Sequence, residues 1–145
     1  MAFPKRAEYE LIVYRIAEEY PQVTLSTLRL YSTSALAARL DGSVHFSSGL
    51  ELRVVEIIDF RIGHIVDYFY AVLRGEERVR WYDPQPHPEL PALASTFPHH
   101  RHELPQIKDN RRPAPGISFT APNLATLIRD CVEVGKTSLG NARAE

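Results

Sequence analysis

One cysteine in 145 residues, Cys131, leaves no internal disulfide and no thiolate pair for a metal. Cytoplasmic residence is the default for such a chain. No excess of either charge sign is present: 17 Lys and Arg oppose 18 Asp and Glu, for a formal net charge of −1. No global basic field advertises nucleic acid, so any such site must be built from local charge. No apolar run approaches the ~20 residues of a membrane span, and no membrane partner is expected. The N-terminus turns charged at Lys5 and Arg6 without an apolar stretch before it, so no secretory signal is expected. Repeats and low-complexity tracts are also missing. The length fits a single domain over 1–145, and 44% apolar residues argue against wholesale disorder.

What is present divides into a regular front, an irregular middle and a short regular tail. Tyr9, Ile12, Val13, Ile16 and Tyr20 form one apolar stripe at helical spacing, which predicts an N-terminal helix over 5–20 that packs on a sheet and stops at Pro21. Residues 24–83 alternate like strands with short connections, which predicts a five-stranded antiparallel meander. After Val55 the apolar parity passes to Ile57, the mark of a bulge or of a strand buried on both faces. Ile65, Phe69, Ala71 and Leu73 read as one face of the next strand, and Val66, Tyr68, Tyr70 and Val72 as the other. Residues 84–120 show no period. Nine of the eleven prolines fall between Pro84 and Pro122, and four of the six histidines between His87 and His102. Embedded Leu90, Leu93, Phe97, Leu104, Ile107 and Phe119 can anchor this stretch, so it reads as a long, ordered, functional loop. Leu124, Leu127, Ile128 and Cys131 then predict a C-terminal helix over 121–134 with Gly135 as its stop and 136–145 as a frayed tail. The fold class is α+β.

The densest chemistry lies in Arg80-Trp81-Tyr82-Asp83-Pro84-Gln85-Pro86-His87 and Phe97-Pro98-His99-His100-Arg101-His102. Histidine titrates nearest neutrality, so His87, His99, His100 and His102 are acid/base candidates, with Asp83 to orient an imidazole. Arg80 and Arg101 are candidates for stabilising phosphate. Pro98–Gly116 adds Lys108, Arg111 and Arg112, a local basic patch able to grip a few phosphates. Arg78, Arg80 and Tyr82 read as one face of a strand and Tyr68 and Tyr70 as a face of its neighbour. If those faces coincide, tyrosines stack bases beside arginines. Three readings stay open: metal-free cleavage of RNA phosphodiesters, metal binding by histidines, and histidines that only tie loops together. Ligand spacing matches no familiar zinc signature, so neither a metal nor a cofactor is expected.

Arg80–Pro88, Ala94–His102 and Pro113–Leu124 together resemble the TumE-type toxin family of bacterial toxin–antitoxin systems, over roughly residues 24–134. The most specific parts are Asp83-x-x-Pro86-His87-Pro88 and Phe97-Pro98-His99-His100-x-His102. Many members carry a second histidine where this chain has only His87. The resemblance implies a toxin whose partner is a small antitoxin, typically of helix-turn-helix DNA-binding type. The helix-then-sheet plan with its His, Arg and Tyr set is similar to RelE-like toxins, which makes endoribonuclease the expected activity and RNA the expected substrate. The rival class is a non-catalytic module that acts through a partner protein. A homodimer and a toxin–antitoxin hetero-oligomer are the assemblies left open.

Overall fold

The computed structural model describes the backbone of residues 3–144 and the side chains of residues 3–137. The N-terminal stripe buries Tyr9, Val13 and Ile16. Two helices carry it, α1 (Arg6–Tyr14) and α2 (Ile16–Glu19), because Arg15 leaves helical geometry at φ −101° and ψ 2°. The Lys5 N–H donates to the Glu8 carboxylate and ties down the first turn. Pro21 ends the pair, as expected.

Eight strands follow rather than five: β1 (Val23–Ser26), β2 (Arg29–Ser32), β3 (Ala37–Phe46), β4 (Leu50–Asp59), β5 (His64–Arg74), β6 (Glu77–Asp83), β7 (His100–Glu103) and β8 (Arg111–Pro113). They form one antiparallel sheet in the order β1-β3-β4-β5-β6-β7-β8, with β2 also paired to β3. β1 and β2 are two halves of one broken edge. β1 pairs with the Val44–Phe46 end of β3, and β2 with Ala38–Asp41. The break at Thr27 and Leu28 presses on Gly42, where a Cβ would sit 2.6 Å from the Thr27 carbonyl oxygen. Gly42 has φ +138°, so glycine meets both demands.

The helices cover one face of the sheet. Leu40, Val44, Leu52, Val54, Ile58, Tyr70 and Val72 point into the core beneath them. The expected parity switch in β4 does not occur. Glu56, not Ile57, takes the core position and is completely buried. Tyr9 and Tyr70 hydroxyls donate to its two carboxylate oxygens, and Asn123 donates to Tyr70 Oη at 3.0 Å. Burial pushes this carboxyl up to about 7, although both tyrosine hydrogen bonds pull the other way.

Two bulges reset the faces. Ile57 and Ile58 pair with Asp67 and Ile65, so Val66 is the extra residue in β5. Ile65 therefore shares the core face with Tyr68, Tyr70 and Val72, and Val66 is 54% exposed. Val72 and Leu73 pair with Arg80 and Arg78, so Val79 is the extra residue in β6. Arg78 is thereby turned onto the helix-free face, away from Arg80 and Tyr82.

The stretch 84–120 is not a loop throughout. It holds a 3-10 turn (Pro91–Thr96) and strands β7 and β8, which extend the sheet beyond β6. Its prolines lie between these elements or at their ends and cost few ladder hydrogen bonds.

Helix α3 (Leu124–Ala144) buries Leu124, Leu127, Ile128 and Cys131 on the expected stripe. It starts after Asn123, whose side-chain oxygen accepts the Ser118 N–H. It also runs on through Gly135 rather than stopping there, so residues 136–144 are helical backbone. The glycine serves close approach instead: a Cβ there would lie 2.9 Å from Ser48 Oγ. Glu145 lies outside the described residues. Among the described residues, no helix is long and apolar enough to cross a membrane.

Candidate functional site

The pairing of β6 with β7 decides what the histidines can do. Residues directly opposite in an antiparallel pair share a face, and alternate residues along a strand do too. Asp83 pairs with His100 and Trp81 with His102, so these four side chains stand together on the helix-free face. Tyr82 pairs with Arg101 and Arg80 with Glu103, so that second set faces α3. The expected grouping of histidines with Arg80 and Arg101 is thus divided by the sheet itself.

On the helix-free face, His100 Nε2 lies 3.2 Å from His102 Nε2. It also lies 3.3 Å from Asp83 Oδ1, while His102 Nε2 lies 3.5 Å from Asp83 Oδ2. Both rings are buried, at 1% and 4% exposure, whereas the Asp83 side chain keeps 21%. Asp83 is held by the Trp81 indole N–H at 3.1 Å and the Gln85 backbone N–H at 2.9 Å. The His102 ring stacks on Trp81 with centroids 4.2 Å apart, and its Nδ1 lies 2.8 Å from the Ile107 carbonyl oxygen. His87 meets His100 edge-on at 5.1 Å, with its Nδ1 3.0 Å from Glu89. Burial lowers the His102 pKa more than the Ile107 hydrogen bond and the Asp83 charge raise it.

Ligand spacing along the chain matches no familiar metal signature, yet Asp83, His100 and His102 place three donor atoms within 4.8 Å of one another. That set can hold a metal ion. Asp83 also borders a shallow surface depression with Asp67, Phe69 and Pro84, which neither His100 nor His102 lines.

A family model described as Toxin TumE matches residues 13–134. The chain belongs to the TumE toxin family. It is therefore a toxin of a toxin–antitoxin system, with an antitoxin as its partner. No curated protein matches the chain, and no solved structure does.

In this TumE chain the remaining candidates go to different places. His99 leaves the cluster and turns to the core, with its Nδ1 2.5 Å from Tyr68 Oη and its ring against Phe119. Burial, then the nearby His100, lowers its pKa. Tyr68, Tyr70 and Tyr82 are 4%, 0% and 0% exposed, so they offer no open ring to a base. Tyr68 stacks on Tyr70, and the Tyr82 hydroxyl donates to Asp130 of α3 at 2.7 Å. Arg80 pairs with Glu103 at 3.0 Å, and Arg101 with Glu103 at 3.2 Å and Asp130 at 3.7 Å. Both arginines thus enter the α3-facing charge lattice already neutralised. Lys108 lies in the turn between β7 and β8, and Arg112 pairs with Arg101 on the α3 side.

Two arginines do stand on the histidine face. Arg111 pairs with His102 in register, and its buried Nε has no hydrogen-bond partner among the described residues. Arg78 is exposed and lies over the Trp81 and Phe69 rings at 5.9 and 5.5 Å. Trp81, which stacks on His102 and donates to Asp83, is the cluster residue that the sequence reading did not single out. Its parity with Asp83 was the available signal.

Proposed function

We propose that this toxin cleaves RNA phosphodiesters at the Asp83–His87–His100–His102 cluster. The observation that carries the reading is the convergence of two imidazole nitrogens and one carboxylate within 3.5 Å, with a third imidazole at the opening. Cleavage by a ribose 2′-hydroxyl needs a base for that proton, an acid for the leaving 5′-oxygen, and positive charge at the five-coordinate phosphorus.

His87 is the accessible proton-transfer group. Glu89 holds its Nδ1 and leaves Nε2 for the substrate. Asp83, His100 and His102 form a compact polar centre behind it, placed to concentrate a positive charge beside the phosphate. Arg111 supplies an unused donor on the same face, and Arg78 extends positive charge toward solvent. Arg80 and Arg101 take a structural role, because their partners hold them on the opposite face. The cellular setting that fits is bacterial cytoplasm, with an antitoxin of helix-turn-helix type that restrains the cleavage.

A growth assay in a host lacking the antitoxin gene tests the reading, with melting curves on the same variants. His87→Ala, His100→Ala and His102→Ala should relieve growth arrest, since a general acid or base contributes about 10²–10⁴ in rate. His99→Ala should leave toxicity in place once matched for stability. Folded but fully toxic His87 and His102 variants would refute the proposal.

A further inference from the structure

We propose that Asp83, His100 and His102 bind one divalent transition-metal ion, with Zn²⁺ as the reference occupant. The site lies at the junction of β6 and β7 on the helix-free face. The inference deepens the cleavage reading by naming the positive charge that the cluster concentrates, and it rests on that reading only for what the ion does.

The tautomers come first. A carbonyl oxygen only accepts, so the 2.8 Å contact to Ile107 puts a hydrogen on His102 Nδ1. His100 Nδ1 likewise lies 3.4 Å from a carbonyl oxygen, that of Pro98. Neutral rings in these tautomers turn two bare Nε2 lone pairs toward each other and toward an acceptor-only carboxylate. Such an arrangement repels itself unless a cation stands among the three groups. A metal ion joins all three.

The spacing fits such an ion. Zinc sits ~2.05 Å from imidazole nitrogen or carboxylate oxygen, and a tetrahedron of that radius has edges of about 3.3 Å. The imidazole edge here is 3.2 Å, and the two rings face different oxygens of Asp83, Oδ1 at 3.3 Å and Oδ2 at 3.5 Å, with one donor atom from each residue lying within 4.8 Å of the others. Two imidazoles and one carboxylate suit zinc and its transition-series neighbours, whereas Mg²⁺ and Ca²⁺ prefer all-oxygen sets.

The surroundings match what metal ligands require. Ligating histidines donate their other N–H to a carbonyl or carboxylate, and ligating carboxylates are hydrogen-bonded in turn. His102 meets Ile107, and Asp83 receives Trp81 and Gln85. His-x-His on a strand puts both rings on one face, and the neighbouring strand supplies the acid. Three protein ligands leave a fourth position for water or a phosphate oxygen, and Asp83, with 21% of its side chain exposed, is the ligand nearest solvent.

The test uses full-length protein stripped with a chelator and titrated calorimetrically with ZnCl₂, with elemental analysis of the dialysed product. One equivalent of zinc per chain is expected, with MgCl₂ giving no comparable binding. Asp83→Asn keeps the shape of the side chain but loses its charge and one of its two hydrogen-bond acceptances, and His102→Ala loses a ligand. Each should weaken zinc binding by at least 100-fold with the circular dichroism spectrum unchanged. Trp81→Phe should weaken it about 10–100-fold. His64→Ala, a surface histidine, should bind as the wild type does. No zinc in the wild type, or stoichiometric zinc retained by folded Asp83→Asn and His102→Ala, would overturn the site. The titration contains no RNA, so its failure leaves the cleavage reading standing. Persistent toxicity of His87→Ala would sink that reading and leave the metal site.

Discussion

Glu56→Gln should remove most of a pH-dependent weakness from the fold. Glu56 is completely buried, and burial raises its carboxyl from 4.5 to about 7 in the native state. Between those pH values the folded protein keeps a proton that the unfolded chain has released. Native stability therefore falls as pH rises through the window and levels off above about 7. At 1.36 kcal/mol per pKa unit the full loss is about 3 kcal/mol. Glutamine keeps both tyrosine contacts, because its oxygen accepts one hydroxyl and its amide donates to the other oxygen. The variant should match wild type near pH 4.5 and exceed it by about 3 kcal/mol at pH 8. Urea melts of both proteins across that range measure the difference, and taking the difference cancels the histidines. A stability gap constant to within about 0.5 kcal/mol from pH 4.5 to 8 would refute the idea that Glu56 folds in its protonated form.

Gly42→Ala should cost about 3 kcal/mol or more in urea melts, because the strained φ is fixed and the added Cβ meets backbone at Thr27. Leu52→Ala, in the core beneath the helices, should cost about 2–5 kcal/mol and reduce toxicity only in step with unfolding. Arg111→Ala should relieve growth arrest with melting nearly unchanged, whereas Arg80→Ala should lower the melting temperature by leaving Glu103 without its 3.0 Å partner. The reverse pattern for the two arginines would show that the sheet's faces have been given the wrong roles.

Much of this was legible in the residues themselves. The stripes of Tyr9, Val13 and Ile16 and of Leu124, Leu127 and Cys131 report helices that need a sheet, and β3 to β5 alternate as buried strands do. The faces of β5 and β6 were not legible, because the two bulge residues are plain valines. Val66 and Val79 fit the alternation as well as any neighbour, yet each shifts it by one residue. That shift parts Arg78 from Arg80. Glu56 hid for another reason: a carboxylate reads as surface until two tyrosines from distant segments are seen to satisfy it. His-x-His carried two rings on one face of a strand, but the prolines around it masked β7 as loop. Only the register against Asp83 shows that His100 and His102 face a carboxylate while His99 faces Tyr68.

The two ends of the sheet bear on how the protein survives being made without its partner. An unpaired strand edge is a template on which another copy can add itself, and long, flat, apolar edges are the worst. Here one end is capped by β1 and β2, four residues each and broken between them, and the other by β8, three residues reading Arg-Arg-Pro. Neither end offers a run of free backbone long enough to recruit a second sheet, and proline and arginine blunt the shorter one. Self-association through strand addition is thereby disfavoured. Newly made toxin awaiting its antitoxin is thus guarded against a common route by which β-rich chains are lost to aggregation.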